Sequence, residues 1–152
     1  MGDEPRWLSE QEMRAWTGFL TAGALIERRV EQQLKEDSGL SHTQYEILVR
    51  LADAPDGSLR MTELAEALLN SKSGLTYQIT QLEKAGLTER RSCPTDVRGV
   101  FAVLTEAGRK RLEAAAPGHV AVVRDALIDV LTPEQVAVLA EGLGEVARRL
   151  RE

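Results

Sequence analysis

Between Thr62 and Leu104 the chain passes through a helical run, a break at Asn70-Ser71, and a second helical run opening Ser71-Lys72-Ser73-Gly74. Two short β-like runs follow, residues 87–92 and 100–104, separated by Cys93-Pro94-Thr95-Asp96-Val97-Arg98-Gly99. In the second helical run Leu75, Ile79 and Leu82 recur at i, i+4 and i+7, the spacing of one buried stripe, and Gly86 stands where a helix C-terminal glycine is expected. Two short helices joined by a tight break and followed by a β-hairpin are the parts of a winged helix-turn-helix. The expected fold is therefore mainly α with a small β-wing (α+β), flanked by N- and C-terminal helices. Duplex DNA is the partner such a module most often takes.

The outward face of the second helix predicts how that partner is read. It carries Lys72, Ser73, Thr76, Tyr77, Gln78 and Gln81, short or planar donors and acceptors, whereas an ordinary exposed helix favours charged helix formers. Glutamine bonds adenine, serine and threonine adapt to several bases, and the first turn, here including Ser71, reaches bases or phosphates in the major groove. Arg98 near the hairpin tip is placed to enter the minor groove, whose negative potential attracts guanidinium. Asp96, two residues away, is placed to brace it. The plainer alternative for this hairpin is a solvated tip.

Net charge needs reconciling with a polyanionic partner. The chain totals −5, but from Arg60 to Arg111 nine basic residues face six acidic ones, a local +3 that leaves −8 for the remainder. A basic middle with acidic ends orients a molecule on DNA and weakens nonspecific adhesion elsewhere.

The flanking segments carry strong helix signals. Ser9 and Glu12, then Ser41 and Gln44, stand at capping-box spacing, and Thr132-Pro133-Glu134-Gln135 adds proline at the first helical position. Thr62 is expected to cap the helix that follows it, and the helix after Thr105 is expected to break near Pro117-Gly118. Val136, Leu139, Ala140, Leu143, Val146, Ala147 and Leu150 form a narrow seam at coiled-coil-like spacing. Such a seam calls for a partner, and a homodimer would set two winged modules on one palindromic site. The chain is expected to be a single domain over 1–152, with about 8–36 and 105–152 as dimerisation helices and about 40–104 as the DNA-binding lobe.

Several other chemistries find little support. One cysteine, Cys93, forms no internal disulfide, which fits a reducing compartment, although Arg90 and Arg91 beside it would favour a redox-active thiolate. His42 and His119 with that cysteine give no zinc spacing. Gly142-Leu143-Gly144-Glu145-Val146-Ala147 spells a dinucleotide fingerprint but lies inside the helical seam, without a preceding strand. No nucleophile–base pair or phosphate loop suggests an enzyme, and no cofactor is expected. The acidic N-terminus lacks a signal peptide's basic and apolar parts, and no apolar run approaches the roughly 20 residues that span a bilayer, so a cytoplasmic protein without membrane attachment is expected. Trp16, Phe19 and Tyr45 would line a pocket for a small aromatic or lipophilic effector, though such side chains are more often core.

Taken in order, the long first helix, Leu40-Ser41-His42-Thr43-Gln44-Tyr45, Met61-Thr62-Glu63-Leu64-Ala65, Ser71-Lys72-Ser73-Gly74-Leu75-Thr76, Leu82-Glu83-Lys84-Ala85-Gly86-Leu87, Asp96-Val97-Arg98-Gly99 and Leu104-Thr105-Glu106-Ala107-Gly108 resemble the MarR (multiple antibiotic resistance regulator) family of bacterial transcription factors. The resemblance covers most of the chain. It implies an obligate homodimer, a recognition helix at Ser71 to Lys84, and a wing arginine at Arg98 braced by Asp96. It also implies a ligand-responsive repressor, less often an activator, whose effector binds between the dimerisation helices and the DNA-binding lobe. Tyr77 departs from the arginine common in the family; tyrosine still bonds a phosphate or packs on sugar and base, without the charge. Sensors of hydroperoxides in the family carry their cysteine in the first helix, and this chain has none there. The alternative is a helical dimer that uses the winged module to bind a protein.

Overall fold

The computed structural model describes residues 2–69, 72–92, 95 and 99–152, with 72 and 73 in backbone only. Its first helix, α1 (Glu10–Ser38), starts as the sequence dictates. Ser9 Oγ accepts the Glu12 backbone N–H at 3.1 Å while the Ser9 N–H donates to the Glu12 carboxylate at 2.8 Å. The same reciprocal device opens α2 (His42–Asp53) through Ser41 and Gln44, at 3.1 and 3.0 Å. It recurs at α6 (Pro133–Leu150) through Thr132 and Gln135, at 3.2 and 2.9 Å. Each box gives partners to two backbone donors that a helix start otherwise leaves unpaired.

The remaining elements follow in the expected order. A 3-10 turn (Pro55–Gly57) leads into β1 (Ser58–Arg60), α3 (Met61–Leu68), α4 (Lys72–Lys84), β2 (Thr88–Ser92), β3 (Val100–Leu104) and α5 (Glu106–Val123). The three strands form an antiparallel sheet in the order β1-β3-β2. Leu59 and Arg90 both pair with Ala102, and Arg60 and Arg91 both pair with Phe101.

The chain divides into two compact units, Met1–Val30 with Val122–Glu152, and Glu31–Ala121. The second unit holds the sheet and a dense core. Leu34, Ile47, Leu48, Leu51, Leu64, Leu75, Ile79 and Leu82 are fully buried there, each contributing about 1.5–3 kcal/mol relative to exposure. The α4 stripe read from the sequence is thus the side of that helix against the core. In the first unit, Arg29 pairs with Asp125, while α6 buries none of its side chains.

Two expectations about helix ends are corrected. Thr62 does not cap α3: β1 runs directly into the helix, so extended Arg60 takes the cap position, without a side-chain hydrogen bond to the helix's first N–H groups, and Thr62 falls in the first turn. Nor does Pro117-Gly118 break α5, which continues through both residues to Val123 before a π-helical stretch at Arg124–Ile128. Gly118 serves closeness of approach: a Cβ there would stand 2.7 Å from Gln33 Nε2 and 3.3 Å from Asp37 Oδ2 of α1. Among the described residues no helix is long and apolar enough to cross a membrane.

Candidate nucleic-acid interface

With Leu75, Ile79 and Leu82 fixed inward, the opposite side of α4 is set by the 3.6-residue period. Thr76 and Tyr77 are exposed there, Tyr77 at 62%, while Gln78, Thr80 and Gln81 are half-buried along the flanks. Polar and aromatic groups rather than an apolar patch therefore face outward. Lys72 and Ser73 lie in the first turn by backbone. Ser71, Asp96, Arg98 and Cys93 fall outside the described residues.

Two local devices hold α4 against its neighbours. Leu69 closes α3 in a left-handed conformation at φ +58, its N–H returning to Glu66 O at 3.3 Å. At the far end Gly86, at φ +77, turns the chain into β2. Thr105, just before α5, donates its hydroxyl to Gly86 O at 2.7 Å and its N–H to Leu87 O at 3.2 Å. Gly108 completes this seat, because a Cβ would come within 2.1 Å of Leu87 O, far inside contact distance. The run Leu104-Thr105-Glu106-Ala107-Gly108 thus fixes the α4–β2 corner.

Sequence reasoning passed over Arg90, which bonds Glu83 and Thr80 of α4 from β2. No local pattern in the sequence pointed to it, because its place beside fully buried Ala102 follows from the cross-strand register. Arg91, on the opposite face, pairs instead with Glu89 at 2.6 Å. On that face Arg60 also lies over the Phe101 ring, 5.5 Å from its centroid.

The aromatic residues singled out for an effector separate between the two units. Trp16 and Phe19 stack at 6.2 Å in the first and are each about half exposed. Tyr45 belongs to the second, buried against the His119 ring at 4.4 Å. Burial first, then the nearby His42, holds the His119 imidazole below its ordinary value. Burial and the Glu46 carboxylate push the Tyr45 hydroxyl up. Glu46 titrates lower than usual, chiefly because His42 hydrogen-bonds to it. Among the described residues no group of three or more His, Cys, Asp or Glu side chains is arranged to hold a metal ion.

Comparison with known proteins places this arrangement. The MarR family model matches residues 40–100. The HTH-type transcriptional repressor YetL of Bacillus subtilis (strain 168) is 33% identical over 74% of this chain and 66% of its own length. The structure of Sco3205, a MarR family transcriptional regulator from Streptomyces coelicolor in complex with DNA, superposes with a TM-score of 0.94 at 44% identity, covering 99% of this chain and 94% of that one. NadR in complex with 4-hydroxyphenylacetate matches with a TM-score of 0.70 at 28% identity, over 97% and 98% of the two chains. The chain belongs to the MarR family of transcriptional regulators.

Proposed function

We propose that this protein is a homodimeric, sequence-specific DNA-binding regulator, acting as a ligand-responsive repressor on a palindromic operator. The observation that carries the reading is α4: an inward stripe fully buried, with Thr76 and Tyr77 outward and open. Major-groove readout falls to Ser71, Lys72, Ser73, Thr76, Tyr77, Gln78 and Gln81, and minor-groove anchoring to Arg98, braced by Asp96. YetL, named a repressor, and Sco3205, solved with DNA, support the same assignment by similarity.

The first unit supports the dimer. Met13, Trp16, Phe19 and Leu20 of α1 and Val138, Leu143, Val146 and Leu150 of α6 are all at least 40% exposed. An open groove of about 620 Å³ lined by Leu131, Gln135, Val138, Leu139, Leu143 and Val146 runs along α6. Apolar surface of this extent marks an association site. The assignment of residues 8–36 and 105–152 to dimerisation and 40–104 to DNA binding rests on this division of exposed and buried apolar faces. NadR, solved with 4-hydroxyphenylacetate, supports a small aromatic effector for this chain too. Occupancy would act by favouring one separation of the two recognition helices over another.

The test is a titration on a duplex selected by the protein from a random pool, against a scrambled duplex, at two salt concentrations. Arg98→Ala is expected to weaken binding and flatten its salt dependence, and Gln78→Ala to relax sequence preference. Unchanged slopes and preference in both variants would reject the assignment.

A further inference from the structure

Side chains along β2 alternate between the two faces of the sheet, and cross-strand partners share a face. Arg90 pairs with fully buried Ala102, which sends it to the inner face, while Arg91 takes the outer face with Phe101. Arg90 stays partly exposed there, its side chain 36% accessible, and its guanidinium lies along α4 rather than inside the core. Arg90 finds its partners on that one helix: its Nε donates to Glu83 Oε1 at 2.7 Å and its Nη2 donates to Thr80 Oγ1 at 2.6 Å. The Thr80 hydroxyl in turn donates to Thr76 O at 2.8 Å, one turn earlier. Positions 76, 80 and 83 form a single flank of α4, next to the face that carries Tyr77 and Gln81.

A planar guanidinium attached at two points fixes more than distance. The buried stripe of Leu75, Ile79 and Leu82 sets the rotation of α4 coarsely, and holding positions 80 and 83 together trims the remaining roll more than a single contact would. That rotation decides whether Tyr77 and Gln81 point at the duplex. The other end of the attachment is a wing strand, so the same group ties the recognition helix to the wing.

We infer that Arg90 is a positioning residue for DNA recognition, a strut from β2 that trims the roll of α4 through Thr80 and Glu83 and does not itself contact phosphate. The inference rests on the DNA-binding reading above. Its charge is met by Glu83, whereas a phosphate contact would be worth most with its charge uncompensated.

Titrations on the selected and scrambled duplexes, across a series of salt concentrations, separate the two roles. Arg90→Gln and Arg90→Lys should each lower affinity for the selected duplex by about tenfold, the size of losing charge-assisted bonds. Affinity for the scrambled duplex and the slope of log K against log salt should stay put. Lysine keeps the charge but lacks the two-point fork, so it should fail like glutamine. A phosphate contact would instead be rescued by lysine, and glutamine would weaken both duplexes and reduce the slope by about 0.9. Glu83→Ala supplies the opposite sign: a strut predicts weaker selective binding, whereas a phosphate-directed arginine freed of its carboxylate would bind both duplexes more tightly. A variant that had merely lost folded protein would weaken both duplexes equally and leave their ratio unchanged, which would also overturn the inference. Should the wild-type protein enrich no duplex from the pool, the DNA-binding reading falls and this one with it. If it enriches one and the three variants keep its preference, only the role of Arg90 falls.

Discussion

At the scale of single residues, two positions carry sharp expectations. Gly108 is required by the Leu87 carbonyl that a Cβ would meet at 2.1 Å, and because the obstacle is backbone it cannot swing away. Gly108→Ala should lower stability by about 3 kcal/mol, read as a fall in the urea midpoint; an unchanged midpoint would contradict the seating of α5 on the α4–β2 corner. His119 is held below its ordinary value of 6.5 by burial and by His42. The unfolded chain therefore binds the proton that the folded chain refuses, so stability is lost as pH falls through 6.5 toward the folded value. His119→Gln should remove that slope, measured as Tm between pH 7.5 and 5.5, roughly the window around this titration. Equal slopes in the two proteins would contradict it. Neither expectation was legible in the sequence. Gly108 was visible as part of a helix start, but the carbonyl it accommodates comes from a residue 21 positions earlier, and the partners of His119 lie on another helix.

Elements were far more legible, because caps and apolar periodicity are local. The three capping boxes, the α4 stripe and the β2–β3 hairpin all stand where spacing put them. Misjudged ends have local causes of another kind. Thr62 has the right chemistry for a cap, but β1 delivers the chain to α3 two residues too early for it to serve. Pro117 has the wrong chemistry for a helix interior, yet α5 runs on, with Gly118 giving α1 room at the same place. At the interface, periodicity found the outward face of α4 but not its tether to Arg90, since pairing across the sheet depends on a register that no local pattern states. Where a cap is present, its contribution is measurable: Ser41→Ala removes an acceptor from the Gln44 N–H and should cost about 1 kcal/mol. A midpoint unmoved in urea unfolding would mean the box at α2 is idle.

For the whole molecule, the two units divide the work in the proposed account. The sheet-containing unit presents α4, and the unit built from the start of α1 and from α6 exposes apolar side chains that need covering. Leu143 lies in the α6 groove at 40% exposure. Leu143→Glu should turn a dimer into a monomer at micromolar concentration in light scattering, through an unpaired charge placed in an apolar contact. An unaltered mass would remove α6 from the interface.

In the proposed complex the outward face of α4 lies in the major groove of duplex DNA. Dimethyl sulfate reports it directly, because guanine N7 lines that groove. On the selected duplex the account predicts two patches of N7 protection, centred about 10 base pairs or a multiple of that apart. Saturated binding that leaves every guanine N7 as reactive as in free DNA would contradict it.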